Sequence, residues 1–523
     1  MSRSTKTAKV VVEHDSELDH GQIMVIMSAL MLALLLAALD QTIVATALPK
    51  IANDLHGLSQ YSWVATAYLL TSAVATPLYG KISDMFGRKK IFQSAIIIFL
   101  IGSALCGLSQ NMTELIFFRG LQGIGAGGLM TLVFAIIGDV VPPRQRGRYQ
   151  GYFGGVFALA SVVGPLLGGI LTDDLSWRWV FYVNIPIGIM ALSAVAARLH
   201  LPVHEVKHKV DYLGAGLLTI SVVGLLLATV WGGVNYPWGS AQIIGLFVAS
   251  AVSALLFVWR ENHAKEPIIP LRLFKNSIVS VTVILSLLVG AIMFGAIIFL
   301  PEYQQLVRGD SATKSGLMLL PLVVGVMLAS LIAGQLTTKL GKYRIFPILG
   351  SILFIISLWL FSHIAADTNR VILGVWMAVL GIGVGLIMPI LTLAVQNAVD
   401  RKDLGTATSS VVFFRSIGSA LGTAIFGAIL TNRLIHYIGQ DLPGAAGNAI
   451  ANGVKNSING LKGLPPHVIH IVLASFAHAF ADVFTIGIPM AIVTLVVALF
   501  LKETPLRSSH KDEPDIDLPA THI

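Results

Sequence analysis

The sequence predicts an all-α polytopic membrane protein: two six-helix halves plus an inserted two-helix hairpin, fourteen transmembrane helices in all. Three observations predict it. Hydrophobic residues make up 55% of the 523 residues and charged residues only 12%, against about 25% charged in a soluble domain. Apolar runs of about 20 residues, the length that crosses the hydrocarbon core, recur along the whole chain. Two stretches in the first half of the chain are echoed in the second. The composition leaves too little polar surface for a soluble particle of this size. That excludes a soluble enzyme, a disordered scaffold and a secreted disulfide scaffold. The single cysteine, Cys106, can form no internal disulfide. A net charge of +8 could suggest nucleic acid, but the charges fall in short loops between apolar runs, so no nucleic-acid partner is expected.

The runs lie near 23–48, 60–80, 91–108, 114–138, 149–171 and 179–197, then 212–233 and 241–259, then 277–300, 316–336, 345–362, 371–395, 405–430 and 480–501. They lack the alternation of a membrane barrel, so each is read as a helix. The N-terminus is too polar for a signal peptide. Most of the 35 Lys and Arg residues fall on one side of this arrangement. Among them are Lys81, Arg88, Lys89 and Lys90, then Arg144, Arg146 and Arg148, and later Lys339, Lys342 and Arg344. That side is expected to be cytoplasmic and to hold both termini. A plasma membrane, the bacterial inner membrane, is the expected location. The resulting division is a cytoplasmic tail 1–22, an N-terminal half 23–197, a hairpin 212–259, a C-terminal half 277–501 with an extracellular loop 431–479, and a cytoplasmic tail 502–523.

The internal echo supports the halves. Gly80-KISDMF-Gly87-RKK after the second span matches Gly334-QLTTKL-Gly341-KYR after the tenth. VPPRQRGRYQGYFGGVFALASVVGPLLGGIL, from residue 141, matches AVDRKDLGTATSSVVFFRSIGSALGTAIFGAIL, from residue 398, with Gly147 against Gly405. Parallel repeats of this kind mark transporters whose site lies between the halves near the midplane.

Asp40 is the one acidic residue well inside a span. A carboxylate there costs several kcal/mol unless it is paired, hydrated or protonated, which makes it a functional hypothesis. One that gains and loses a proton can couple proton movement to conformation; the plainer reading is a structural Asp fixed by hydrogen bonds. Asp40 lies ~13 Å below the outer end of its helix and Arg119 ~10 Å below the outer start of its own. The depths are compatible, while contact is not fixed by sequence. Arg415 has no acidic residue at its depth and reads as structural. Glu114, Glu302 and Asp482 read as solvated span ends. Asp139 and Arg88 share the cytoplasmic side, where a salt bridge would hold that face shut. Asp84 could cap the helix beginning near Gly405. Gly164-Pro165 and Gly168-Gly169 in the fifth span suggest a bend at a helix contact, since proline removes a backbone bond and glycine permits close approach. Tyr68, Met293 and Phe294 are guesses for the cavity wall from span position.

Other patterns are discounted. His200, His204 and His208 are interrupted by Pro202 and joined by no cysteine, so no metal site is expected. His467, His470 and His478 are read in the same way. GIGAGG at 123–128 lies inside a helix rather than after a strand, and no Walker A pattern occurs, so neither a nucleotide cofactor nor ATP is expected. No nucleophile–base set appears; the protein is not expected to be an enzyme. The acidic stretch 512–517 reads as a solvated tail.

Taken together, these positions resemble the major facilitator superfamily, specifically its fourteen-helix drug:proton antiporter family of multidrug efflux proteins. LDQTIVATALP (39–49) looks like that family's first-helix motif, with Ala45 and Thr46 departing from its usual Asn-Val. GKISDMFGRKK (80–90) is similar to the superfamily's cytoplasmic-loop motif, with Met85 in place of a frequent basic residue. Leu115, Arg119, Gln122, Gly123, Gly125 and Ala126 follow the fourth-helix motif. Gly151, Ala160, Gly164, Pro165, Gly168 and Gly169 follow the antiporter signature of the fifth helix, and WRWVFYVNIPIG (177–188) is also similar. The resemblance implies proton coupling at Asp40 and Arg119 and a cytoplasmic gate at Gly80, Asp84, Gly87, Arg88 and Asp139. It implies an antiport hinge at Gly164, Pro165, Gly168 and Gly169. The expected partners are the lipid bilayer, protons and a small amphipathic organic substrate, with the protein acting as a monomer. The expected function is proton-coupled antiport exporting such compounds by alternating access. Alternatives are export of a physiological metabolite, siderophore or lipid by the same mechanism, or a non-transporting sensor or polytopic membrane enzyme. With one deep carboxylate, neutral and singly charged compounds are expected to be exported better than dications.

Overall fold

A computed structural model describes residues 20–56, 60–199, 211–233, 235–310, 312–442 and 465–506. The expected metal-free histidines His200, His204 and His208, the start of the N-terminal tail, the centre of 431–479 and the acidic stretch 512–517 lie outside the described residues. The described residues are predominantly helical. The N-terminal half comprises α1 (His20–Asp54), α2 (Tyr61–Phe86), α3 (Arg88–Leu108), α4 (Met112–Val140), α5 (Pro143–Ile170), the short α6 (Trp179–Tyr182) and α7 (Asn184–Arg198). The hairpin is α8 (Tyr212–Trp231) and α9 (Ala241–His263). The C-terminal half comprises α10 (Ser277–Leu306), the short α11 (Ala312–Leu317), α12 (Leu320–Leu340), α13 (Ile345–Phe361), α14 (Arg370–Asn397), α15 (Leu404–Asp441) and α16 (Pro466–Leu499).

Among the described residues, 12 helices are long and apolar enough to cross a membrane. Two more, the 26-residue α2 and the 17-residue α13, stand where the second and eleventh spans are expected. The expected loop 431–479 is shorter than the sequence reading: α15 runs to Asp441 and α16 begins at Pro466. The apolar helical period simply continues there. Leu434 and Ile438 on α15 and Val472, Phe476 and Phe480 on α16 are buried in one core. Tyr437 donates to the Asp482 carboxylate at 2.8 Å, tying the two extensions together and giving Asp482 a protein partner rather than only solvent.

Each half has its own apolar core. α1 packs on α5 and α7, and α4 on α2 and α3; in the other half α14 packs on α12 and α13, and α10 on α15 and α16. The halves meet where α5 crosses α12 and where α2 crosses α15. The hairpin lies to one side, with α8 against α2 and α15. Its ends are pinned at one level. Asp211 caps α8 by accepting from the Gly214 amide at 3.1 Å and is paired with Arg260 of α9 at 3.0 Å. The outward face of α9 exposes Val248, Val252, Leu255, Leu256 and Trp259. Such a stripe suits lipid and would be a large apolar patch in water.

Candidate functional site

Asp40 is fully buried on α1, and its carboxylate is met only by donors. Arg119 of α4 donates through Nη1 at 2.7 Å, Gln122 of α4 through Nε2 at 2.8 Å, and Asn184 of α7 through Nδ2 at 2.8 Å. The i, i+3 spacing of Arg119 and Gln122 puts both on one face of α4, and Arg119 also donates to the Gln122 side-chain oxygen at 2.8 Å. Asn184 is held in turn by the Ser103 hydroxyl of α3, at 3.0 Å, which itself donates to the Phe181 carbonyl. The Arg119 guanidinium lies 4.1 Å from the centroid of the Tyr68 ring, a cation–π contact. Helices α4 and α7 thus converge on the α1 carboxylate, with α3 supporting them through Ser103 and α2 through Tyr68. Arg119 is the expected neighbour. Gln122 and Asn184 sit within quoted motifs, but nothing in the sequence assigned them to the carboxylate; Ser103 carried no signal.

This arrangement has one chemical consequence. Every partner of Asp40 presents an N–H, so the cage matches an ionised carboxylate. A proton on Asp40 would place an O–H among donors, so the cage must rearrange: an amide of Gln122 or Asn184 turns its oxygen inward to accept it, or a donor lets go.

Beside the cage lies a cavity of about 1100 Å³ between the halves. Gln41 and Thr42, adjacent to Asp40 in the chain, line it, as do Met293 and Phe294. Tyr68, the third residue guessed for the wall, does not line it; it is buried under Arg119. At one end the cavity reaches the α8–α9 turn at Tyr236 and Trp238, and the later turns of α15 at Asn432. Two residues read as structural or solvated in the sequence also face it: Glu302 of α10 and Arg415 of α15. A sequence gives the depth of such residues but not the rotation of their helix, so this facing was not legible.

The opposite end, where Arg88, Arg146 and Lys339 lie, is closed by contacts between the halves. The Asp84 carboxylate at the end of α2 accepts from the amides of Gly405 (3.2 Å) and Thr406 (2.9 Å) and from the Thr406 hydroxyl (2.9 Å). It thereby caps α15, where a helix N-terminus favours negative charge. Arg88 pairs with Asp84 at 2.6 Å and with Asp139 at 2.7 Å. Gly87 turns the chain between α2 and α3 with φ +91°, and its echo Gly341 has φ +69°, both in the region that favours glycine. Gly80 packs against Gly405 and Ser409, and Gly147 against Gly334. The echoed glycines therefore meet crosswise, as a pseudo-twofold between the halves requires. A further tie was not anticipated: Gln396 of α14 donates to the Phe134 carbonyl of α4 at 2.9 Å, and Arg146 donates to the Gln396 carbonyl at 3.4 Å.

The fifth-helix glycines divide. A Cβ on Gly164 would overlap Thr42 of α1, and one on Gly168 would overlap Thr46, whereas one on Gly169 would meet nothing within 4 Å beyond its own helix. Thr42 also donates to the Ala160 carbonyl across the same contact at 3.0 Å. Pro165 lies inside α5. The α1–α5 contact thus begins within one turn of Asp40, at Thr42, and runs to Thr46 in the next. Gly164→Val is expected to cut transport at least tenfold and to destabilise the protein by about 1–3 kcal/mol through overpacking. Gly169→Ala should leave both the transport rate in vesicles and Tm near wild type.

A family model described as Major Facilitator Superfamily matches residues 30–212 and 212–423. An uncharacterized MFS-type transporter of Mycobacterium tuberculosis is 41% identical over 492 residues, covering 94% of this chain and 71% of its own. The multidrug transporter protein MdtP of Bacillus subtilis is 39% identical over 516 residues, covering 94% of each chain. Among solved structures, the proton:xylose symporter XylE bound to 6-bromo-6-deoxy-D-glucose aligns with a TM-score of 0.60 at 14% identity, over 94% of this chain and 98% of that one, a likeness of fold.

Proposed function

The chain belongs to the major facilitator superfamily, and from that footing we propose that it is a proton-coupled antiporter that exports amphipathic organic compounds by alternating access. The observation that carries the proposal is the sealed, donor-only cage around Asp40 beside a cavity shared by both halves. The names of relatives such as the multidrug transporter MdtP agree with it.

With both termini cytoplasmic, the closed end is the inner face and the cavity opens outward. The ties of Asp84 to Gly405 and Thr406 and of Arg146 to Gln396 act as the inner latch. A proton arriving from outside through the cavity neutralises Asp40 and breaks the donor cage among α1, α4 and α7. Because α1 rides on the Gly164–Gly168 face of α5, loosening the cage lets the halves rock. The proton leaves inward, substrate enters the ionised state, and the return stroke carries it out. Coupling requires that substrate and proton favour different states of the same site.

One proton crossing 100 mV supplies ~2.3 kcal/mol and each pH unit about 1.4 kcal/mol. Exchange for a monovalent cation moves no net charge and draws only on the pH gradient. In proteoliposomes with a preset pH gradient, adding substrate should collapse the gradient at a rate that saturates with substrate. A gradient indifferent to every substrate that the protein exports from cells would refute antiport. Glu302 faces the outer part of the cavity and should favour cations there. Glu302→Gln is expected to raise KM for a lipophilic monocation several-fold more than KM for a neutral compound of the same size, read in the same vesicles.

A further inference from the structure

We propose that Arg415 is the anchor for the anionic group of a substrate, so that the exported compounds include amphipathic carboxylates or sulfonates. The inference rests on the transport function proposed above and names a substrate class for its cavity. Arg415 lies on α15 about 15 Å beyond Gly405, at the level of Gly290, whose Cβ would overlap the Arg415 carbonyl. Its side chain is partly buried and faces the cavity, and among the described residues its guanidinium has no hydrogen-bond or ion-pair partner. Its backbone belongs to the α15 ladder, and its carbonyl also accepts from the Ser419 hydroxyl. Arg119, Arg88 and Arg146, the other arginines within the bundle, are each bonded to protein acceptors. A bare guanidinium inside an apolar bundle is costly, so such residues mark ligand paths.

The internal repeat removes a packing explanation. Aligning Gly147 with Gly405 sets Gly164 against Gly422 and places Phe157 opposite Arg415. Phe157 lines the same cavity from the other half. The architecture is thus satisfied by an apolar ring at this position, and the arginine serves something else. A guanidinium presents planar paired donors that match a carboxylate or sulfonate. Phe157 from one half and Met388 from the other line the same cavity and offer apolar surface for an apolar body.

The charges are also ordered along the cavity. Glu302 lies about 18 Å further along α10 than Gly290. An anion entering from the Arg88 end meets Arg415 first, and Glu302 disfavours a second resting place near the far mouth. Exchange of an outgoing monoanion for an incoming proton moves two charges the same way. Its rate should therefore depend on membrane potential more strongly than that of a neutral compound.

The test uses a pair of probes sharing one skeleton, anilinonaphthalene sulfonate and neutral phenylnaphthylamine. Full-length protein in lipid nanodiscs is titrated with each against protein-free nanodiscs, and transport of each is followed in proteoliposomes. The expected result is that Arg415→Gln lowers sulfonate affinity at least tenfold relative to the neutral probe, and that Arg415→Lys restores part of the difference. Equal loss of both probes in Arg415→Gln, with Arg415→Lys no better, would overturn the proposal by marking a packing role. Unchanged sulfonate affinity would overturn it as well. Binding is read without a gradient, so tight, Arg415-dependent sulfonate binding without proton-driven transport would leave this assignment standing and count against antiport instead.

Discussion

Asp40→Asn should abolish proton-driven export while leaving the protein folded and inserted. The amide keeps the size of the side chain and can still accept from Gln122 or Asn184, but it removes the charge opposite Arg119, 2.7 Å away in the native cage. Removing one partner of a buried pair leaves the other charge uncompensated and costs about 3–5 kcal/mol. Part of that is recovered because Arg119 retains the Gln122 oxygen and the Tyr68 face. A lower Tm without loss of folding is therefore expected. Substrate uptake driven by an acid interior in inverted vesicles should fall to the level of empty vesicles, while exchange of labelled for unlabelled substrate at equal pH persists. Asp40→Glu keeps a titratable group and should retain measurable coupling. Full proton-driven uptake in Asp40→Asn would remove Asp40 from the mechanism.

Asp84→Ala should open the end of the bundle that is closed here. The substitution removes the acceptor for the amides of Gly405 and Thr406 and for the Thr406 hydroxyl, and leaves Arg88 with Asp139 alone among its carboxylate partners. Losing hydrogen bonds to a charged acceptor costs about 1.5–3 kcal/mol. Because the loss falls on one of two conformations, it appears as a population shift of about tenfold or more. The position of Thr392, which lines the cavity on α14, reports it. In Thr392→Cys, a membrane-impermeant maleimide applied to inverted vesicles should react slowly in the otherwise native protein and at least tenfold faster with Asp84→Ala added. The native Cys106 is buried and contributes little background. Equal labelling rates would show that these bonds do not hold the closed state.

What could be read from the sequence follows from what hydropathy and spacing encode. A lone carboxylate in an apolar run stands out by its cost, so Asp40 was visible, and equal depth on two helices made Arg119 its natural neighbour. The cap of Asp84 on the helix at Gly405 was legible because a helix start and an acidic residue lay on the same predicted side. The doubled glycines showed the repeat and hence the crossing points. Uncharged polar residues carry a weaker signal: Ser103, Asn184 and Gln396 cost less to bury than a charge, and such side chains often bond between membrane helices, so only the fold shows whom they partner. Facing was the second blind spot. Glu302 and Arg415 had known depths but unknown rotation, and Tyr68 was placed on the wall when its helix turns it under Arg119. Helix extension was the third. Past the membrane the apolar period of α15 and α16 continues, where Gly, Asn and His suggested a loop.

The most direct measurement is proton release on substrate binding. Purified wild-type protein in weakly buffered solution, mixed with a neutral substrate, should release protons in proportion to the fraction of free sites that are protonated, approaching one per bound molecule as that fraction approaches one, and Asp40→Asn should bind the same substrate and release none. Stoichiometric binding by the wild type with no proton released across the physiological pH range, in a protein that still pumps against a gradient, would contradict the exchange of proton for substrate at Asp40.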